Sequence, residues 1–86
     1  MIYKIEFMEA AAKSLRSLPR DMQERINVKI LALAENPHPR DAKILRGKHK
    51  LYRIRVGDYR IIYNIEHNRL VVLIVKIGHR KNVYRH

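Results

Sequence analysis

The amino-acid sequence predicts a small α+β domain, in which a helical hairpin packs on one face of a mostly antiparallel sheet. Two-residue alternation marks strands near the N-terminus and through the C-terminal half, and helical spacing of apolar residues marks the part between them. Short turn signals separate the later strands. The 86 residues can form one two-layer core, so we expect a single domain over 1–86. The expected element order is β-α-α-β-β-β.

The N-terminal half predicts one strand and two helices. Residues 2–7 alternate as a strand does, and apolar residues then recur at helical spacing up to about Ser17. Pro19 suits the first turn of a second helix, which runs from about Arg20 to Glu35. Asn36-Pro37-His38-Pro39 ends it, because a residue before proline avoids the helical region. The apolar stripe of this helix consists of Met22, Ile26, Ile30 and Leu33.

The C-terminal half predicts a basic connector followed by three strands. The connector covers residues 40–50, and two strands follow within residues 51–65, joined at Gly57-Asp58. A two-residue loop with glycine first favours a type II′ hairpin. His67-Asn68 is expected to form the next turn, with Asn68 tolerating a left-handed conformation. Residues 70–75 are apolar on both faces, which is typical of an inner strand, and the strand is expected to continue to Gly78.

The composition is strongly basic. Nineteen Lys and Arg stand against eight Asp and Glu, a formal net charge of +11. Such an excess points to nucleic acid, an anionic membrane surface or an acidic protein partner. The absence of cysteine excludes disulfides and thiolate metal sites and fits a cytoplasmic protein. No apolar run approaches the roughly 20 residues that cross a bilayer, so no spanning segment is expected, and no membrane is among the expected partners.

Three arginines are expected to lie close together near the Gly57-Asp58 turn. Arg53 and Arg55 occupy alternate positions of one strand and therefore point to the same face. Arg60 supplies a third guanidinium across the turn. A sheet face with clustered arginines suits an anionic ligand.

The sequence resembles RelE toxins of the RelE/ParE superfamily, found in bacterial and archaeal type II toxin–antitoxin systems. The motifs that carry the resemblance are Leu45-Arg-Gly47, the hairpin Tyr52–Tyr63, and Val75-Lys-Ile-Gly-His-Arg80 followed by Tyr84. The resemblance implies a RelE-like, microbial-RNase-like fold and a metal-independent, cofactor-free endoribonuclease. Such toxins cut mRNA in the ribosomal A site: the 2′-hydroxyl attacks the adjacent phosphate, leaving a 2′,3′-cyclic phosphate and a 5′-hydroxyl.

The resemblance also implies a catalytic cluster on the sheet face away from the helices. Carried over by position, the cluster consists of Arg53, Arg55, Arg60, Arg80 and Tyr84. Arginine suits a phosphate because its planar fork can bind two oxygens at once. Arg60 and Arg80 are the candidates for binding the scissile phosphate. Tyr84 either stacks on a base or caps the sheet edge.

The general base is the missing part of this cluster. Some relatives carry lysines where this chain has Arg53 and Arg55, and arginine cannot give up its proton. His79 is adjacent to Arg80, and histidine is the residue type suited to proton transfer near neutral pH, so it is a candidate for this role, with an ordinary surface histidine as the alternative.

The basic connector is expected to contact the RNA backbone, with a solvated basic loop as the alternative. Its candidate RNA-binding residues are Lys43, Arg46, Lys48 and Lys50.

The expected partners follow from the charge and the resemblance. They are an acidic cognate antitoxin that folds on binding, ribosome-bound mRNA and rRNA, and promoter DNA reached only through the antitoxin complex. Two other functions stay open: a ParE-like poison of DNA gyrase, and a non-catalytic nucleic-acid-binding module.

Overall fold

A computed structural model describes residues 2–45 and 51–79 and confirms the predicted fold class: two helices pack on a five-stranded mixed sheet. The elements, in chain order, are β1 (Lys4–Phe7), α1 (Glu9–Arg16), α2 (Arg20–Glu35), β2 (Lys43–Leu45), β3 (Leu51–Val56), β4 (Tyr59–Glu66) and β5 (Val71–His79).

The strand order β1-β5-β4-β3-β2 places the first two strands at opposite edges of the sheet. The helical hairpin between them therefore crosses the whole of one face, and β2 to β5 return across the sheet as an antiparallel meander. β5 is an inner strand, as its apolar composition predicts, and it pairs with β1 in parallel. Within the described ranges, neither helix is long and apolar enough to cross a membrane.

One strand and one turn differ from the sequence-based expectation. The connector over residues 40–50 contains β2, which pairs with β3 and places Lys43 opposite Arg53. Three residues are too few to show a periodicity, so this strand could not be recognised in advance. The Gly57 turn agrees with type II′, since φ is +59° at Gly57 and not positive at Asp58. In the β4–β5 turn the left-handed residue is Leu70, with φ of 54°, rather than Asn68.

The core lies between the helices and one face of the sheet. Ile26, Ile30 and Leu33 of the predicted α2 stripe are buried, and each fully buried side chain of this size contributes about 1.5–3 kcal/mol. On the sheet side, Tyr63 is fully buried, and its hydroxyl donates a hydrogen bond to the Pro37 carbonyl at 2.8 Å. Burial raises the pKa of the Tyr63 hydroxyl above its ordinary value. This bond attaches the α2–β2 loop to the sheet.

Candidate active site

The arginines predicted to cluster do share the sheet face away from the helices. Ile54 and Val56 are buried in the core, so Arg53 and Arg55 of the same strand point to the opposite face. Arg55 pairs directly with Arg60 in the β3–β4 ladder, and direct partners lie on the same face with their Cβ atoms about 4.5–5.5 Å apart. Like charges in this position repel one another, so the arrangement favours a bound anion.

Two lysines flank the Arg53–Ile62 pair, one on the neighbouring strand at each side. Lys43 pairs with Arg53, Arg53 with Ile62, and Ile62 with Lys76. Lys43 is exposed, whereas Lys76 is half-buried. We call Lys43, Arg53, Arg55, Arg60 and Lys76 the cationic face.

Lys76 was missed in the sequence because a β-bulge changes the alternation of β5. Ile62 pairs with Lys76, but the next residue, Tyr63, pairs with Ile74, so Val75 is an extra residue in β5. Ile74 is buried in the core, and the bulge allows Lys76, two residues later, to point to the other face. Without the bulge, strand alternation would have placed the Ile74 and Lys76 side chains on the same face.

Arg53 carries an unsatisfied donor. Its Nε atom is buried and has no hydrogen-bond partner among residues 2–45 and 51–79. Leaving a buried donor unpaired costs about 1–3 kcal/mol, and more for a charged group. A phosphate oxygen bound against the guanidinium would satisfy it.

A pocket of about 250 Å³ opens on this face between β2 and β3. It is lined by Asp41, Lys43, Arg53 and Arg55. The Asp41 Oδ2 atom lies 2.8 Å from the Lys29 Nζ atom of α2. This hydrogen bond from Lys29 lowers the pKa of the Asp41 carboxyl, so the group is ionised at neutral pH. Asp41 could not be recognised from the sequence, because its pairing with Lys29 joins a loop to a helix twelve positions away.

His79 lies on the opposite side of the sheet from the arginines. It pairs with Tyr59 in the β4–β5 ladder, and the two rings meet edge to face at 5.6 Å. Tyr59 packs against the core, so both side chains are on the helix side. This pairing directs the His79 ring away from Arg53, Arg55 and Arg60, which are on the other face of the sheet. We therefore remove His79 from the proposed site.

The remaining predicted site residues fall outside the described ranges. They are Arg46, Lys48, Lys50, Arg80 and Tyr84. Their roles stay predictions. Within the described ranges, no group of three or more acidic or histidine side chains could hold a metal ion.

Opposite charges are paired at the other end of the same face. The Arg69 guanidinium contacts Glu66 at 2.7 Å and Glu6 at 3.3 Å. This three-residue network pairs a cation with two carboxylates, whereas the cationic face brings several cations together. The cationic face therefore lies toward the β3–β4 turn end of the sheet, away from this network.

The chain is similar to known proteins over nearly its whole length. Residues 5–84 match the family described as the ParE toxin of the type II toxin–antitoxin system. Toxin RelE3 of Methanocaldococcus jannaschii is 33% identical over 85 residues, covering 94% of this chain and 94% of that protein. The mRNA interferase toxin RelE of Escherichia coli is 30% identical over 83 residues, covering 94% of this chain and 86% of the relative.

A solved structure shows the same fold. The archaeal RelE–RelB complex from Pyrococcus horikoshii contains a chain that superposes with a TM-score of 0.83 at 33% identity, over 96% of this chain and 100% of that one. The family match covers nearly the whole sequence, and the similar proteins carry the RelE name. The chain therefore belongs to the RelE/ParE superfamily of type II toxin–antitoxin systems, as a toxin of the RelE type.

Proposed function

We propose that this toxin is a metal-independent endoribonuclease that cleaves ribosome-bound mRNA and so inhibits translation. The observation that carries the proposal is the direct pairing of Arg55 with Arg60, beside Arg53, on a sheet face that the helices leave open. The name of the E. coli relative, an mRNA interferase, supports the choice of RNA as substrate.

The proposed reaction is an attack by the 2′-hydroxyl of one nucleotide on its own 3′-phosphate. The O2′–P bond forms and the P–O5′ bond breaks, giving a 2′,3′-cyclic phosphate and a free 5′-hydroxyl. Negative charge builds on the phosphoryl oxygens in the transition state. Arginines that are already in position stabilise this charge more strongly than water does, because they need no reorganisation. Arg53, Arg55 and Arg60 take this role, and the resemblance adds Arg80 as a fourth.

Two protons must also move, one from the 2′-hydroxyl and one to the leaving 5′-oxygen. Arginine is effectively always protonated, and His79 is on the other side of the sheet. In the described part of the cationic face, the side chains that can exchange a proton are Lys43 and Lys76. We assign a proton transfer to Lys76, which is half-buried and stands diagonally from Arg60 across the β4–β5 ladder. Lys43 is exposed and suits contact with the RNA backbone.

An acidic antitoxin is the proposed protein partner. The chain carries a net charge of +11, and the P. horikoshii relative is found bound to RelB. A negatively charged segment over the cationic face would neutralise it and block RNA. Contacts of the basic connector with rRNA, promoter binding through the antitoxin complex, and a cytoplasmic location belong to the same proposal.

Cleavage of mRNA on stalled ribosomes tests the proposal. Arg60→Ala should slow cleavage on the order of a hundredfold, the loss typical of removing one transition-state donor. Arg20→Ala is the matched control, because it removes an equal charge from an exposed position on α2. Equal cleavage by all three proteins, or none by wild type, would refute the proposal. DNA breaks with translation intact would indicate a gyrase poison, and RNA binding without a cyclic phosphate would indicate a non-catalytic module.

A further inference from the structure

The pocket between β2 and β3 contains three cations and one carboxylate. Lys43, Arg53 and Arg55 can each bind a phosphate, but the ionised Asp41 repels one. A carboxylate in an RNA site must therefore face a part of the nucleotide that donates hydrogen bonds. The donors available in RNA are base N–H groups and ribose hydroxyls.

Asp41 is held where a base could reach it. It comes two residues before Lys43, whose ladder partner is Arg53, so it lies at the edge of the arginine cluster. Lys29 fixes the carboxylate through Oδ2, yet the Asp41 side chain remains 51% exposed. A carboxylate has about four acceptor sites, so one bond to Lys29 leaves others free.

We propose that Asp41 reads guanine at a nucleotide flanking the scissile phosphate, by accepting hydrogen bonds from the N1–H and 2-amino groups of its Watson–Crick edge. Guanine presents these two donors side by side, matching the acceptors of a carboxylate. Single-stranded RNA exposes this edge to proteins. The inference rests on the proposed function and adds a residue that sets the sequence preference of RNA cleavage.

The alternative is that Asp41 only attaches the α2–β2 loop to α2 through Lys29. An ion pair between two half-exposed side chains contributes little to stability. The two roles can be separated because only base reading requires the carboxylate itself, whereas attachment requires both partners equally. Lys29→Gln is therefore the matched control for Asp41→Asn.

The experiment compares ribosome-bound mRNAs with guanosine or inosine at each position of the cleaved codon. Inosine lacks the 2-amino group and is otherwise the same. At one position, wild type should cleave the guanosine template at least about fivefold faster, in the range for loss of one good base contact. Asp41→Asn should lose this difference, and Lys29→Gln should retain it. Equal cleavage of both templates by wild type at every position would overturn the inference, as would equal effects of the two variants on all templates.

A binding measurement keeps this inference separate from the proposed function. If wild type forms no cyclic phosphate, the proposed function fails, and Asp41 is then tested by the affinity of the full chain for short single-stranded RNAs. Tighter binding of guanosine-containing than inosine-containing RNA, lost in Asp41→Asn but retained in Lys29→Gln, would support base reading. Equal affinity of wild type for both RNAs would overturn it. Thermal unfolding of each variant confirms that the protein is folded.

Discussion

Arg55 of β3 and Arg60 of β4 lie directly opposite each other across the hairpin, on the face that the helices leave open. Two guanidiniums in this position repel, and a protein selected for stability alone would place opposite charges there. The pair suits the negatively charged ligand of the proposed function. It also means that stability and activity should respond in opposite directions to substitution.

Arg55→Ala should stabilise the fold while reducing activity. Arg55 is exposed, and removing one of two like charges should raise the free energy of unfolding by roughly 0.2–1 kcal/mol, the usual size of a cross-strand pair. Urea denaturation at low salt measures the change. Arg20→Ala is the control and should stay within about 0.5 kcal/mol of wild type. A loss of stability in Arg55→Ala would show that the arginine has a structural role.

Tyr63→Phe should destabilise the protein without altering the cationic face. The variant leaves the Pro37 carbonyl without its hydrogen bond, at a cost of about 1–3 kcal/mol. Denaturation midpoints at neutral pH measure this cost. A change below the error of the midpoint would show that the bond does not hold the α2–β2 loop.

The same residue predicts a dependence of stability on alkaline pH. Burial raises the pKa of Tyr63 in the folded state above the value of about 10 in the unfolded chain. The stabilising contribution is therefore fully present below pH 10 and decreases as the pH rises above it. The stability difference between wild type and Tyr63→Phe should shrink above about pH 10. A constant difference up to pH 11 would contradict the assignment.

The sequence predicted the parts of the fold that depend on local periodicity. The α2 stripe, the Gly57 hairpin and the shared face of Arg53 and Arg55 all follow from spacing along the chain. The features that it missed depend on contacts between distant segments. The β-bulge that directs Lys76 to the open face can be recognised only from the register between β4 and β5. The contact between Asp41 and Lys29 can be recognised only once the helices are packed on the sheet. The position of His79 on the helix side likewise follows only from its pairing with Tyr59 across two strands.

Lys76→Arg tests whether the half-buried lysine transfers a proton. The substitution keeps the positive charge, but arginine, unlike lysine, effectively cannot give up its proton. We expect the cleavage rate to fall by about a hundredfold or more, within the range of general acid–base catalysis. The matched control is Lys43→Arg, which should cleave nearly as well as wild type. Full activity of Lys76→Arg would exclude the assigned role.

Lys43→Ala should weaken RNA binding without changing sequence preference. An exposed lysine that contacts a backbone phosphate releases about one counterion, so its loss should reduce the salt dependence of binding by roughly 0.7 in the log–log slope for single-stranded RNA. Affinity measured across a salt series gives this slope. Lys13→Ala on the exposed side of α1 should leave it unchanged. An unchanged slope in Lys43→Ala would indicate that Lys43 stays solvated and does not contact the RNA backbone.

In the proposed reaction, the substrate's own 2′-hydroxyl attacks a phosphate held by the cationic face. The most direct test is an mRNA with a single 2′-deoxynucleotide on the 5′ side of the cleaved bond, presented on stalled ribosomes. Wild type should cleave the all-ribose template to a 2′,3′-cyclic phosphate and leave the substituted template intact. Equal cleavage of both templates would rule out this reaction, because the attacking group would then have to come from elsewhere.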